Sequence, residues 1–330
     1  MVQPWVDKYR PKSVSDVAHQ EEVVQTLEKA LEGSANLPHL LFYGPPGTGK
    51  TSAALAIARQ LFGPELVKTR VMELNASDER GIGVVRNKIK GFAAGAVGSS
   101  VAGYPCPPFK LIILDEADSM TSDAQNALRR TMEAHSKVTR FVFICNYVSR
   151  IIEPLASRCA KFRFKPLHGN IMTDRINHIC TEEGVTMGSG SMETLSKVSG
   201  GDLRRAITTL QSAVRLQGPD VAPATLLDVA GAVPDAVTSA VLSACRSNSF
   251  AAIQTAIADA IAEGWPAQAM LLEIQAALLS NDDDGVSESA RAGVLLALAA
   301  ADKALVDGAD EQLQLLNVAS ATQKALCASA

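Results

Sequence analysis

Apolar residues follow two different patterns along the chain. In the first half, short continuous apolar runs, among them Leu40–Tyr43 and Leu111–Leu114, alternate with longer stretches of helical spacing. Continuous runs of this length are typical of parallel strands that are buried on both faces. From Leu167 onward the spacing is helical throughout. The sequence therefore predicts an α/β domain with a parallel sheet, followed by all-α regions.

The same patterns give approximate limits for the individual elements. Helices are predicted over Gln20–Leu31, Ser52–Phe62, Gly83–Ala94, Ser122–Ala134, Ile171–Glu183, Ser191–Lys197 and Asp202–Leu216. Strands are predicted over Leu66–Leu74, Arg140–Cys145 and Lys161–Pro166, in addition to the two runs above. Residues 4–12 are bounded by prolines and predict an extended arm, whose aromatic residues Trp5 and Tyr9 dock on the rest of the protein.

A glycine-rich segment joins the first predicted strand to a predicted helix. It consists of Gly44, Pro45, Pro46, Gly47, Thr48, Gly49, Lys50 and Thr51, and Ser52 follows it into the helix. A surface turn would explain the glycines, but it would not explain the preceding strand, the Lys-Thr pair or the following helix. In a P-loop the backbone N–H groups, the lysine and the helix N-terminus all face phosphate oxygens, while the threonine hydroxyl faces Mg²⁺. The segment predicts binding of a nucleoside triphosphate.

Two acidic residues stand at the end of the strand that begins at Leu111. Asp115 and Glu116 lie where ligands bind in open α/β sheets, 65 residues after Lys50. Asp115 is predicted to hold Mg²⁺, and Glu116 to polarise the water that attacks the γ-phosphate. Asn146 ends a further strand, and it is either a turn residue or the group that orders the attacking water. The acidic pair predicts a hydrolase.

The charge distribution indicates which half of the chain contacts a polyanion, and the cysteines indicate the compartment. Residues 1–170 carry 22 Lys and Arg against 16 Asp and Glu, whereas residues 171–330 carry 9 against 19. Contact with a polyanion is therefore expected in the first half, although helix-surface charge alone could give this asymmetry. The six cysteines are scattered without a CxxC pair, which favours reduced thiols in the cytosol or nucleus and disfavours a zinc site. Neither a signal peptide nor a membrane span is predicted.

Several motifs together resemble the small subunits of replication factor C, the sliding-clamp loader of eukaryotes and archaea within the AAA+ ATPases. They are Trp5-Val-Asp-Lys-Tyr-Arg-Pro11, the P-loop, Glu73-Leu-Asn-Ala-Ser-Asp-Glu-Arg-Gly81, Leu114-Asp-Glu-Ala-Asp-Ser-Met120 and Ser157-Arg-Cys159. The stretch from Cys145 to Cys159 looks eukaryotic. The match runs from Pro4 to about Pro234, and the C-terminal third agrees in length and helical character.

The resemblance implies an architecture and a set of site residues. It implies an AAA+ nucleotide-binding domain over residues 1–166, a helical lid over 167–233 and a helical collar for oligomerisation over 234–330. Residues implied to lie against the adenine of ATP are Val6, Tyr9, Arg10, Pro11 and Val17. Asn146 matches sensor 1, and Arg204 matches sensor 2, which reaches the γ-phosphate from the lid. Arg158 matches the arginine finger that acts on the ATP of the adjacent subunit.

The resemblance also gives a use to the basic helices of the first half. Arg86 and Lys90 match positions that follow the phosphate backbone of primer–template DNA without reading its sequence, and the alternative for both is a solvated helix face. Arg129 and Arg130 serve either DNA or the subunit interface. Phe92 and the loop after it lie where family members touch the clamp. The implied ligands are ATP and Mg²⁺.

The resemblance finally implies partners and a compartment. The partners are one large and three other small subunits in a heteropentamer, the sliding clamp PCNA and the DNA. The implied location is the nucleus, where the complex opens the clamp for replication and repair. Two alternatives remain: a scaffold subunit that does not hydrolyse ATP, and a homohexameric motor such as a branch-migration helicase. The scaffold is disfavoured by intact Lys50, Thr51, Asp115, Glu116 and Arg158. The motor is disfavoured because neither a pore loop nor a further DNA-binding domain is evident.

Overall fold

A computed structural model describes residues 3–11, 37–77, 82–95, 97–98, 101, 103–166, 169–247, 249–280 and 287–327; for residues 82–86, 169 and 280 it describes the backbone alone. The predicted helix Gln20–Leu31 lies outside these residues. The chain forms two compact units, Met1–Val221 and Ala222–Ala330. The first unit contains every residue for which a role in nucleotide or DNA binding is predicted.

A five-stranded parallel sheet forms the centre of the first unit. Its strands are β1 His39–Tyr43, β2 Val71–Asn75, β3 Lys110–Asp115, β4 Thr139–Cys145 and β5 Cys159–Arg163, in the spatial order β2-β3-β4-β1-β5. Most side chains of β1, β3 and β4 are almost fully buried, because helices cover both faces of the sheet. This confirms the predicted parallel sheet.

The described helices of this part precede the first strand or connect the strands. They are α1 Trp5–Lys8, α2 Lys50–Arg70, α3 Ile82–Ala94, α4 Ser122–His135 and α5 Glu153–Ala156, with 3₁₀ turns at Ala117–Ser119 and Val148–Arg150. Ala54, Ile57 and Phe62 of α2 pack into the core on one face of the sheet. Ile89 of α3 and Leu128 of α4 pack into the core on the other face. The sheet is therefore held between two apolar layers.

Two local predictions are wrong in part of their range. The strand expected over Leu66–Leu74 is helical as far as Arg70, because α2 continues through a break at Gly63, whose φ of 67° only glycine adopts readily. Buried Arg70 holds the end of this helix by donating from Nη1 to the Pro107 carbonyl at 2.8 Å. The N-terminal arm expected to be extended instead contains the one-turn helix α1, whose Trp5 is buried.

The other described elements of the first unit form a lid with three helices. These are α6 Gly169–Glu183, α7 Ser191–Ser199 and α8 Leu203–Gln217, accompanied by two short parallel strands, β6 Thr186–Met187 and β7 Asp220–Val221. The sequence predicted the helices but not the strands, which are too short to show a periodicity. Asp202 caps α8 by accepting hydrogen bonds from the N–H groups of Arg204 and Arg205.

The second unit is helical in its described part. Its helices are α9 Pro223–Ala230, α10 Asp235–Arg246, α11 Phe250–Ala262, α12 Ala267–Ser280, α13 Glu288–Val306 and α14 Glu311–Cys327. They enclose an apolar core of their own, in which Ile257, Ile274 and Val318 are almost fully buried. No single described helix is both long and apolar enough to cross a bilayer; α9 and α10, bent by 72°, meet that test only when taken as a pair.

Candidate nucleotide-binding site

A pocket lies at the carboxyl edge of the sheet, between the glycine-rich segment, the arm at the N-terminus and the lid. The glycine-rich segment and the strand ends contribute Pro46, Gly47, Thr48, Gly49, Lys50, Thr51, Ser52, Asp115, Glu116 and Asn146. The arm contributes Val6, Asp7, Tyr9, Arg10 and Pro11. The lid contributes Arg175, Leu203, Arg204 and Ile207. The chain thus brings together residues that are separated by up to about 200 positions.

The glycine-rich segment adopts backbone conformations that require glycine. Gly44, Gly47 and Gly49 have φ angles of 145°, 71° and 88°. A Cβ atom on Gly44 would lie 2.1 Å from the carbonyl oxygen of Phe164, so the segment starts in close contact with the chain that follows β5. Thr48 Oγ1 closes the turn by donating to the Pro45 carbonyl at 2.9 Å. The segment has the conformation expected of a P-loop.

Lys50 is almost fully buried beneath this segment. Its Nζ donates to the carbonyls of Gly44 and Pro45 at 2.8 and 2.7 Å and to Asn146 Oδ1 at 2.9 Å. Burial lowers the pKa of Lys50, and the negative charge of Asp115 acts in the opposite direction. The lysine therefore connects the loop after β1 with the end of β4, where a phosphate group would offer its ammonium a stronger acceptor.

Thr51 and Asp115 form the part of the pocket that suits a divalent cation. Thr51 Oγ1 donates to Asp115 Oδ2 at 2.7 Å, so a hydroxyl and a carboxylate oxygen lie side by side at the pocket wall. Oxygen ligands of this kind are the ones that Mg²⁺ takes beside nucleotide phosphates. The residues present thus fit the predicted cation.

Glu116 has an unusual backbone conformation. It lies in the left-handed region at φ 53° and ψ 39°, which is uncommon for a residue with a side chain. Its N–H donates to Asp115 Oδ1 at 2.9 Å, and its carbonyl accepts from Ser119 Oγ at 2.7 Å. These bonds fix the turn that carries its carboxylate into the pocket lining.

Asp118 is a further residue of the site that sequence reasoning did not single out. Its Oδ2 accepts from the backbone N–H groups of Asn146 and Tyr147 at 3.0 and 3.1 Å. The turn after β3 thereby holds the end of β4, on which Asn146 stands. Its place as the third acidic residue of Asp-Glu-Ala-Asp was the signal in the sequence, and that signal does not indicate which backbone the side chain meets.

The lid contributes four residues to the pocket lining. Arg204 of α8 was predicted to be one of them, whereas Arg175 of α6 was not. Asp202 also comes close to the P-loop, since a Cβ atom on Gly47 would lie 1.9 Å from Asp202 Oδ1. Arg175 escaped prediction because nothing in the spacing of α6 shows which of its faces turns toward the P-loop.

The arm supplies the remaining wall. Val6, Tyr9, Arg10 and Pro11, which are predicted to lie against the adenine, line the pocket, and Val17 lies outside the described residues. Arg10 Nε donates to Ser52 Oγ at 3.4 Å. Gly44 and Pro45 do not line the pocket, but both of their carbonyls contact Lys50.

The other predicted site residues lie outside the pocket. Arg158 is about half exposed and forms an ion pair with Glu133 of the same chain at 2.8 Å. Lys90 of α3 and Arg130 of α4 are exposed, and Arg129 lies 3.9 Å from Glu133. The side chain of Arg86 lies outside the described residues, although its backbone is part of α3. Exposure leaves Lys90 and Arg130 accessible to a partner.

Three family models match the chain. They are the AAA family of ATPases associated with various cellular activities over residues 40–167, an AAA+ ATPase lid domain described as RCF1/5-like over residues 174–215, and the replication factor C C-terminal domain over residues 233–321.

Curated relatives match along almost the whole chain. Replication factor C subunit 4 of Arabidopsis thaliana is 61% identical, over 98% of this chain and 96% of its own length. Replication factor C subunit 2 of Oryza sativa is 60% identical, with coverage of 98% and 95%. The human replication factor C subunit 4 is 54% identical, with coverage of 98% and 88%.

Among solved structures, the Holliday junction branch migration motor RuvB of Thermotoga maritima resembles the chain with a TM-score of 0.52 and 18% identity. The similarity covers 80% of this chain and 91% of RuvB. At this level of identity the comparison supports a shared fold and nothing about activity.

Proposed function

The chain belongs to the replication factor C family and is an ATPase subunit of a clamp loader that acts in DNA replication, and on that premise we propose how its residues divide the work. In the proposed division, residues 1–166 bind nucleotide, residues 167–233 form the lid and residues 234–330 form the collar. The chain associates with other subunits of the family in one complex. The proposed assembly contains one large and three other small subunits and acts in the nucleus, in repair as well as replication.

The observation that carries the proposal is the convergence of Lys50, Thr51, Asp115, Glu116 and Arg204 on one pocket. ATP is the proposed nucleotide, with Lys50 and the P-loop N–H groups holding its phosphates. Thr51 and Asp115, whose oxygens lie 2.7 Å apart, would hold Mg²⁺. When bound, the cation supplies positive charge to the phosphate oxygens.

The residues around the phosphates then have separate tasks. Glu116 orients and polarises the attacking water, and the Asn146 amide, which contacts Lys50, holds that water in line with the γ-phosphate. Arg204 reaches the γ-phosphate from the lid, so that ATP draws lid and P-loop together. Val6, Tyr9, Arg10, Pro11 and Val17 lie against the adenine.

Arg158 serves a different nucleotide. It does not line its own pocket and is about half exposed, which suits a residue that stabilises the transition state in a neighbouring subunit. Arginine fingers that act in this way in GTPases raise the rate by about 10³–10⁵.

The proposed partners beyond the complex are primer–template DNA and the clamp PCNA. Arg86, Lys90, Arg129 and Arg130 lie on α3 and α4, and in the proposal these helices follow the DNA phosphates without reading bases. Binding through such contacts weakens steeply as salt concentration rises. The end of α3 with Phe92 contacts the clamp.

The experiment that tests the proposal is a substitution of Arg158 in the reconstituted complex. Arg158→Ala is expected to abolish most of the ATP hydrolysis that clamp and DNA stimulate, while the variant chain keeps its own ATP affinity. Arg163→Ala, which alters an exposed arginine on β5, is the control and is expected to leave turnover unchanged. Unchanged stimulation in Arg158→Ala would show that the finger is assigned wrongly.

A native mass measurement distinguishes the proposed assembly from the alternative of a homohexameric motor. Five unlike chains support the clamp loader with the proposed composition. A ring of six identical chains contradicts it.

A further inference from the structure

One carboxylate of the lid binds two residues of the arm that lines the pocket. Glu183, the last residue of α6, places Oε1 2.7 Å from Lys8 Nζ and 2.7 Å from Tyr9 Oη. Hydrogen bonds from Lys8 and then from Tyr9 hold the pKa of Glu183 below its ordinary value. Neither Glu183 nor Lys8 lines the pocket, whereas Tyr9 does, so Glu183 reaches the pocket wall through Tyr9.

Two further hydrogen bonds and one ring contact join the arm to the lid. Arg175 Nη2 of α6 donates to the Tyr9 carbonyl at 2.7 Å, and the Trp5 N–H donates to Gln211 Oε1 of α8 at 3.2 Å. Trp5 and Gln211 are both buried, so water competes little for this second bond. The ring of Tyr9 also meets His178 of α6 edge to face, with ring centroids 6.2 Å apart. The arm is thus tied along its length to lid helices.

The attachment of the arm to the P-loop side is weaker in the described part of the chain. There the bond between Arg10 Nε and Ser52 Oγ, 3.4 Å long, links the arm to α2. Bonds of 2.7 Å to an ionised carboxylate are considerably stronger than a long bond between an arginine and a hydroxyl. The arm is therefore expected to move with the lid and not with the P-loop.

We propose that Glu183 is a positioning residue for nucleotide binding, which holds Tyr9, Arg10 and Pro11 in the place where they meet the base. The inference rests on the proposed function, in which these arm residues lie against the adenine. Loss of Glu183 releases the side chains of Lys8 and Tyr9 from the lid, while the bonds of Arg175 and Gln211 to the arm remain, and it weakens the contacts to the base. The P-loop contacts to the phosphates are left as they are, because Glu183 touches none of them.

The test compares two ligands that share phosphates and differ in the base. The full chain is titrated calorimetrically with ATP and with inorganic tripolyphosphate, both in the presence of Mg²⁺. Glu183→Ala is expected to weaken ATP binding about tenfold and to leave tripolyphosphate binding unchanged, since it removes two charge-assisted hydrogen bonds from the arm alone. Turnover at saturating ATP in the reconstituted complex is expected to stay at the level of the unmodified protein.

Two variants complete the design. Glu182→Ala alters the neighbouring residue, which is exposed, and is expected to change neither affinity. Glu183→Gln keeps an acceptor for Tyr9 and is expected to weaken ATP binding by about threefold, so it tests the proposal even where Glu183→Ala lowers the yield of folded protein.

The outcomes separate the inference from the function on which it rests. The positioning role is overturned if Glu183→Ala loses the same affinity for ATP and for tripolyphosphate, or loses affinity for neither. If Arg10→Ala still weakens ATP selectively in that case, the adenine assignment stands and only the role of Glu183 is wrong. If Arg10→Ala also shows no selective loss, the assignment of the arm to the adenine fails together with the inference.

Discussion

Arg158 is held by Glu133 of its own chain. Arg158 Nη2 lies 2.8 Å from Glu133 Oε1, and Arg158 Nη1 donates to the Pro154 carbonyl at 2.5 Å. The same carboxylate oxygen lies 3.9 Å from Arg129 Nε on α4. A guanidinium has five N–H donors, so two held donors fix its plane and leave three for a partner. Arg158, the arginine finger proposed for the ATP of the adjacent subunit, is thus oriented by contacts within its own chain.

Loss of the Glu133 charge is expected to reduce the effectiveness of this finger. Both side chains are close to half exposed, and exposed pairs contribute about 0.2–1 kcal/mol, which corresponds to at most a fivefold loss. Glu133→Gln in the reconstituted complex should lower stimulated ATP turnover by up to about fivefold, with ATP affinity unchanged. Glu153→Gln, at an exposed pair with Lys161, serves as the control and should have no effect. An altered ATP affinity in Glu133→Gln would contradict this role.

Asp118 is expected to matter for turnover more than for stability. Asp118→Ala removes the acceptor for the N–H groups of Asn146 and Tyr147, but both residues are exposed, so water can replace the carboxylate. We expect a loss of less than about 1 kcal/mol in the free energy of unfolding and a roughly tenfold fall in turnover. Asp118→Asn keeps an acceptor oxygen and should restore most of the activity. A stability loss of several kcal/mol without an effect on turnover would show a purely structural role.

Gly47 and Gly190 allow backbone strain to be separated from a steric clash. Their φ angles are 71° and 78°, so alanine costs about 1 kcal/mol of strain at either position. A Cβ atom on Gly47 would also meet Asp202, whereas none of the surrounding atoms lies within 4 Å of one on Gly190. Chemical unfolding should show a larger loss in the free energy of unfolding for Gly47→Ala than for Gly190→Ala. Calorimetry should show weaker ATP binding for Gly47→Ala alone. Equal losses would mean that Asp202 simply moves aside.

His39 is expected to make stability depend on pH. Burial, and to a smaller extent the charge of Arg140, lowers the pKa of His39 to about 4, and its Nδ1 accepts from the Phe141 N–H. In the unfolded chain His39 takes up a proton near pH 6.5, whereas in the folded chain it does so only near pH 4. The contribution of neutral His39 to stability is therefore fully present above pH 6.5 and is lost as the pH falls toward 4.

The magnitude can be checked by urea unfolding at pH 7.5 and pH 5. Over this interval the free energy of unfolding should fall by about 1–2 kcal/mol more in the unmodified protein than in His39→Gln. This value is smaller than the full pKa shift implies, because the ring is partly exposed. Glutamine offers an oxygen to the Phe141 N–H and does not titrate. Parallel pH dependence in the two proteins would show that other groups cause the loss.

The sequence predicted those parts of the site that depend on local patterns. Gly44, Gly47 and Gly49 mark the P-loop because their conformations exclude other residues, and Asp115 marks a strand end because parallel strands end at the binding edge. Arg175, Asp118 and Glu183 were missed because each acts on backbone or side chains far away in the sequence. Leu66 and Val67 favour a strand locally, yet the burial of Arg70 keeps that segment helical.

The position of β1 in the sheet has a consequence for synthesis. β1 pairs only with β4 and β5, and β4 begins at Thr139, nearly a hundred residues after β1 ends. A nascent chain that has reached the end of β3 already carries the P-loop sequence, but the strand before it has no neighbour on either side. Such distant pairing slows folding and leaves an apolar strand uncovered on the ribosome. The ability to bind nucleotide therefore arises late, when translation of the first unit is more than half complete, and a shortened product that ends before β4 is expected to aggregate without binding ATP.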